Sequence, residues 1–258
     1  MMIKRISMKT FLALVSACGF AAAAWAAAPA TAPRPTTAQI NKAAIEKIVH
    51  DYLLAHPEIL IDMTKALQAK QEANDTRARS AALAQVGLRG LLDPQVAYVT
   101  GPADAKVTVV EFFDYRCPHC KTSLPAIKAL LERDKSVRFA FVEYPILTAD
   151  SLMAAQAAVA ARRQSGAKYM AFHFALMASN GELPRERILD IARSVGLDVA
   201  RLQRDMQDAT VQASLNASHG VAERLHLDGT PSFVINNKVV VGELTEAELA
   251  ALVKAAGS

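Results

Sequence analysis

Cys117-Pro118-His119-Cys120 stands directly behind the apolar, β-branched run Val107-Thr108-Val109-Val110-Glu111-Phe112-Phe113 and directly ahead of a stretch with helical spacing that reaches Leu131. No other feature constrains the chain as much. A continuous apolar run of this kind suits a central strand covered on both faces, and the helix behind it begins at the first cysteine. Two cysteines separated by two residues serve as a redox dithiol, half of a zinc site or a haem attachment site. Zinc needs two further thiolate or imidazole ligands at matching spacing. Apart from Cys18 the chain has no other cysteine, and His173, His219 and His226 are scattered through helical segments. Haem attachment needs histidine directly after Cys120, where Lys121 stands. A purely structural disulfide closing so short a loop would stabilise little. The redox dithiol remains.

Position then assigns roles. Cys117 is expected to start the helix, where unpaired N–H groups and the helix dipole favour negative charge. Arg116 and His119 can add cationic or hydrogen-bonding support, so the thiol should titrate below its ordinary range. A stabilised thiolate favours the reduced form, which makes the disulfide form a ready oxidant. Cys120, one turn further in, should be buried and act as the resolving thiol. Glu111 is the one charge in its strand. Unpaired, it is costly and should hold its proton to high pH, and its expected role is proton acceptor for Cys120. Gly229-Thr230-Pro231 precedes the strand pattern Ser232–Ile235. Proline is tolerated at a strand's first residue, and a cis bond is expected there. Its missing N–H would leave the Thr230 backbone free to pair with an extended substrate peptide.

The remaining chain sets the context. Residues 1–26 read as a signal peptide: a basic start at Lys4, Arg5 and Lys9, an apolar run from Phe11 to Ala24, and small residues around Trp25. Val15-Ser16-Ala17-Cys18 offers the alternative of a lipid anchor at Cys18. Export would place Cys117 and Cys120 in an oxidising compartment, the periplasm. The formal net charge is +4, of which Lys4, Arg5 and Lys9 supply three, so the remainder carries +1 and gives no case for nucleic acid.

Residues 27–39, rich in Pro, Thr and Ala, read as a linker. Residues 40–92 read as a helical N-terminal region. Ile40, Ala44, Ile48 and Tyr52 form one apolar stripe, and Leu60, Met63 and Leu67 a second, ahead of a polar stretch from Gln68 to Ser80. Such a helix cannot be buried along its length and suits a stalk or an oligomerisation element. A short strand is expected over 95–100, a helix kinked at Pro125, and a second buried strand over 137–144. Helices fill about 150–225. A hairpin turns at Asn236-Asn237, and Thr245 with Glu248 caps a final helix. A strand, a helix and a second strand in this order make a parallel crossover.

The run from Glu111 to Cys120, with Thr230-Pro231 later, resembles the DsbA family of thioredoxin-fold proteins, whose usual active-site tetrapeptide is Cys-Pro-His-Cys. The resemblance covers about 95–256. It implies an α/β, thioredoxin-like fold with an inserted helical subdomain, here preceded by an N-terminal helical extension. It also implies Cys117 as nucleophile, Cys120 as resolving cysteine, Pro118 and His119 inside the catalytic motif, Thr230 and Pro231 at the substrate, and Glu111 as the buried acid. Relatives tend to carry a lysine near that acid on the second strand, where this sequence has Val142. The extension resembles the subgroup called suppressor of copper sensitivity protein C, some members of which trimerise and act as disulfide isomerases.

These resemblances imply a periplasmic thiol:disulfide oxidoreductase without a cofactor or resident metal. Its partners would be exported proteins carrying thiols or disulfides, and a membrane redox partner. Copies would assemble as a trimer or dimer through residues 40–92, and the direction would lean to isomerisation or interchange. The alternatives are a monomeric dithiol oxidase and a protein binding Cu(I) through the same two sulfurs.

Overall fold

The computed structural model describes residues 41–258. The leader, its Cys18 and the linker expected before residue 40 lie outside the described residues.

Two helices come first. Asn41 caps α1 (Lys42–Ala55) by accepting from the Ala43 N–H at 3.1 Å. Pro57 then precedes α2 (Glu58–Leu91), which is helical except at Gly87, where φ is +64°. No side chain from residue 41 to 81 is buried. Burial begins at Ala82 and Leu83 and returns at Leu91, so the last turns of α2 belong to the globular core and the earlier ones do not. The expected stalk therefore ends about a dozen residues before the helix does.

The sheet has five strands in the order β1-β3-β2-β4-β5. They are β1 (Tyr98–Thr100), β2 (Thr108–Phe113), β3 (Arg138–Glu143), β4 (Ser232–Ile235) and β5 (Lys238–Val241). The β2–β3 pair is parallel and the other three pairs are antiparallel. Every residue of β2 is buried, as its unbroken apolar run requires at the sheet centre. The connection from β2 to β3 is α3 (Pro118–Arg133), one helix that carries Pro125 in its interior. Five helices form the insertion between β3 and β4: α4 (Ala149–Ala161), α5 (Gly166–Ala178), α6 (Arg185–Ser194), α7 (Val199–Asp205) and α8 (Ala209–Arg224). The chain closes with α9 (Glu246–Gly257), capped by the reciprocal Thr245–Glu248 pair.

Strand alternation divides the core in two. Val109, Phe113, Phe139, Phe141 and Phe233 face α3, α9 and the inserted helices. Val110, Phe112, Ala140, Val142 and Val234 face the end of α2 and Val221, Ala222 and Leu225 at the end of α8. This register corrects one expectation. The residue beside Glu111 on β3 is Phe141, whereas Val142 pairs with Phe112 and points to the other face. Whatever Val142 were replaced by, it would not lie against Glu111.

Candidate active site

The dithiol forms where β2 hands over to α3. Cys117 is the N-cap of α3, in extended backbone conformation, and Pro118 takes the first helical position, where its missing N–H costs nothing. The turn before it is built by Asp114, which is buried. Its Oδ1 accepts from the Arg116 N–H at 2.7 Å, and its Oδ2 accepts from the N–H groups of Ile146 and Leu147 at 2.9 and 3.1 Å. One carboxylate thus fixes the motif to the loop behind β3. Lys121 fixes it to the insertion, donating to the Met177 and Ser179 carbonyls at the end of α5 at 2.9 and 2.7 Å. Arg116, expected to support the sulfur, instead donates through its guanidinium to the Gly181 carbonyl. The free carbonyls of the α5–α6 turn draw the cation away from Cys117.

Both cysteines are free thiols, Cys117 4% exposed and Cys120 fully buried. Their environments drive their acidities apart. Cys117 is held down to about 5, chiefly because the Cys120 thiol donates to its thiolate. The Thr230 hydroxyl, otherwise without a partner, and the backbone N–H groups of Cys120 and His119 add to the effect against the cost of burial. Burial pushes Cys120 far above the ordinary thiol range, and the neighbouring Cys117 and Glu111 push it the same way. One sulfur is therefore a ready nucleophile, and the other keeps its proton until something takes it.

Three other elements complete the site. The Thr230–Pro231 peptide is cis, and the Thr230 carbonyl accepts from the Cys117 thiol at 3.1 Å. That backbone oxygen, expected to be free for a peptide, is occupied by the sulfur. His119 is exposed, with Nδ1 2.9 Å from Glu243 Oε2 in the loop after β5. Glu243 raises its affinity for a proton, and the Cys117 charge adds to this. Glu111 sits in mid-strand beneath α3, 1% exposed, with neither oxygen hydrogen-bonded. Burial, then the charges of Glu143 and Cys117, push it up to about 8.

The structure thus gathers Cys117, Cys120, Thr230 and Pro231 around one sulfur, with Glu111 below and His119 at the rim. The sequence reading missed Asp114, Lys121, Glu143 and Glu243. Glu143 carries a weaker form of the signal that revealed Glu111, a charge at the end of a buried strand that begins with Arg138. Glu243 carries no local signal, because only the fold brings it to His119. His173 is buried in the core, and burial drives it down to about 3, so it is neutral. Among the described residues no cluster of three or more side chains could hold a metal ion, and no helix is long and apolar enough to cross a membrane.

The chain is similar to known proteins in sequence and fold. Residues 94–255 match the family model for thioredoxin, and residues 41–74 match that for the copper resistance protein ScsC N-terminal domain. A thioredoxin-like oxidoreductase from Silicibacter pomeroyi is 43% identical with a TM-score of 0.62, covering 66% of this chain and 97% of its own. The thiol-disulfide exchange protein alpha-DsbA2 from Wolbachia pipientis is 29% identical with a TM-score of 0.65, covering 71% and 97%. Proteus mirabilis ScsC in a transitional conformation is 27% identical with a TM-score of 0.62, covering 84% and 98%.

Among curated relatives, a Na(+)/H(+) antiporter NhaA of Salinispora tropica is 32% identical over 185 residues, 70% of this chain. The chain spans only 28% of that protein's length, so the likeness concerns one portion of it. A dithiol at a helix start, a cis-proline loop against its first sulfur and these likenesses point one way. The chain belongs to the thioredoxin family, among its DsbA- and ScsC-like members, and is a thiol–disulfide oxidoreductase.

Proposed function

We propose that this protein exchanges disulfides in exported proteins through a mixed disulfide at Cys117. The Cys117 thiolate attacks a substrate disulfide. A bond forms from its Sγ to one substrate sulfur, and the other sulfur leaves as a thiolate. The Cys120 thiol then gives its proton to the ionised Glu111 carboxylate and attacks Cys117 Sγ. The Cys117–Cys120 disulfide forms and the remaining substrate sulfur departs with its electron pair. Two electrons have passed from the dithiol to the substrate, and the reverse sequence oxidises a substrate dithiol. Thr230 and Pro231 border the sulfur and would align the substrate backbone, which must displace the Thr230 carbonyl from Cys117. Pro118 opens the helix, and His119, whose hold on a proton Glu243 strengthens, stands at its rim.

One observation carries the reading: Cys117 caps α3 with its thiol pushed down to about 5, while Cys120 one turn below is pushed up. Two poised thiols of opposite character are what a two-step exchange requires.

Residues 40–92 would join copies into a homo-oligomer, a trimer or dimer, with its several dithiols suited to isomerisation or interchange. In support, residues 41–74 match the ScsC N-terminal domain, and Ile48, Tyr52, Leu54, Leu60 and Met63 are exposed. The compartment would be the periplasm, where a membrane redox partner could reset the dithiol.

The test compares the protein without its leader against one also lacking residues 41–67. This cut spares Leu83 and Leu91, which the core needs. Refolding of scrambled ribonuclease should require Cys117 in both. The longer protein should be an oligomer and the faster isomerase, the shorter a monomer. A monomer in both cases would refute assembly. Activity surviving Cys117→Ser would refute the mechanism.

A further inference from the structure

Glu143, the last residue of β3, faces the same side of the sheet as Glu111. The parallel register pairs Phe113 with Glu143 and Glu111 with Phe141, so the two carboxyls lie one diagonal step apart. Each is 1% exposed. Their surroundings are not alike. Glu111 receives no hydrogen bond. Glu143 Oε1 accepts from the Tyr115 and Tyr169 hydroxyls, each at 3.2 Å, and the Arg162 guanidinium at the end of α4 is 4.0 Å away. Tyr115 is in turn 3.1 Å from Nδ1 of His173. That histidine is neutral, so it can donate to the Tyr115 oxygen and leave the tyrosine proton for Glu143.

A buried carboxylate is tolerated where donors meet it and resisted where none do. Two carboxyls this close also resist ionising together, and they titrate as a pair. We propose that Glu143 takes the first negative charge of this pair and so makes Glu111 hold its proton to higher pH, a positioning residue that sets the basicity of the group serving Cys120. The inference rests on Glu111 being the proton acceptor. The proton that Cys120 gives up goes to the ionised fraction of Glu111, and a carboxylate with raised proton affinity accepts from a reluctant thiol less steeply uphill. The bonds made and broken are those of the second exchange step above.

The neighbouring groups pull in both directions, and the hydrogen bonds and the cation favour Glu143 as the first to ionise. From the motif side, Asp114 adds negative charge that opposes ionisation of Glu143. At the start of α3, the Cys117 charge opposes ionisation of Glu111, and Glu111 in turn opposes ionisation of Cys120. Lys128 on the same helix acts on His173. Arg162 supplies a cation, and it acts on Glu143. Burial raises Glu143 as well, to about 8, with Arg162 and the two tyrosine hydroxyls opposing it.

The pH dependence of mixed-disulfide resolution tests this, with Cys117 preloaded with a fluorescent thiol peptide and release followed by stopped flow. Wild type should show an inflection that Glu111→Gln removes. In Glu143→Gln the inflection should move about one pH unit lower, the size expected for strongly interacting sites. An inflection lost in Glu111→Gln yet unmoved in Glu143→Gln overturns the inference and leaves Glu111 as acceptor. An inflection that survives Glu111→Gln overturns both. Should Glu143→Gln not fold, wild type labelled with carboxyl-13C glutamate decides. Its two buried carboxyl carbons should titrate in two coupled steps with Glu143 leading. Independent single steps, or Glu111 leading, would overturn the inference.

Discussion

From residue 41 to 81 the chain buries no side chain, and Ile48, Leu54 and Leu60 are 67%, 70% and 67% exposed. In β2 and β3, by contrast, Glu111 and Glu143 are sealed inside an otherwise apolar sheet. One region leaves oil in water and the other puts charge in oil. The difference lies in what could compensate each. An exposed leucine gains about 1.5–3 kcal/mol only when a second surface covers it, which is what the proposed assembly would supply to the N-terminal stripe. No surface can relieve Glu111. Its burial costs stability, and the role proposed for it, taking a proton from the thiol above, would give that cost a use. Apolar groups out of place mark assembly, and charged groups out of place mark chemistry.

The comparison breaks if the two regions prove inseparable. Cys117→Ser should reduce exchange to the background of a ribonuclease refolding assay and leave the mass in solution unchanged. Leu54→Glu with Leu60→Glu should do the reverse: light scattering should report a monomer, while the dithiol still alkylates at the wild-type rate. A double variant that kept the oligomer would place the interface elsewhere.

The next effect lies in the sheet. Glu111 is raised from the ordinary carboxyl range to about 8, so its penalty is absent below about 4.5, grows as pH rises, and is complete above 8. A tenfold change in proton affinity corresponds to about 1.4 kcal/mol, against which a buried amide without partners costs about 1–3 kcal/mol. Glu111→Gln should therefore stabilise the protein by about 2 kcal/mol at pH 8 and destabilise it by about 2 kcal/mol near pH 4.5, where the carboxyl is neutral and the amide keeps its cost, read from urea melts across pH. A gain constant with pH would mean that the carboxyl is not ionising in the interior.

The smallest effect belongs to the rim. Glu243→Gln should lower the pH at which His119 loses its proton, followed by imidazole NMR, because Glu243 is what raises it. Both side chains are exposed, so the change in exchange rate should be slight.

Much of this was legible beforehand. The central strand, the helix behind it, the dithiol, Glu111 and the Thr230–Pro231 loop are each local in sequence, and hydrophobic periodicity and cysteine spacing report local facts well. What escaped depends on register and on chain ends meeting at a distance. Val142 seemed to be the neighbour of Glu111 because a parallel pairing cannot be counted from sequence to the residue, and a slip of one reverses the face. Arg116 seemed aimed at Cys117 because the competing Gly181 carbonyl lies 65 positions away. Glu143 was visible as a charge at the end of an apolar strand, but of its neighbours Tyr169 and Arg162 come from the insertion and Tyr115 from the turn before α3. The reach of the stalk was blurred because Ala82 and Leu83 look no more apolar than the stripes left in water. Which stripe is covered is decided by the fold.

The central claim is that Cys117, and not Cys120, is the thiolate nucleophile of this domain. The rate of alkylation of the reduced protein by iodoacetamide across pH, with the adduct located by peptide mass, tests it most directly. A single adduct on Cys117 with a half-maximal rate near pH 5 is the predicted result. A half-maximal rate near the ordinary thiol value of about 8.5, or first modification at Cys120, would contradict it.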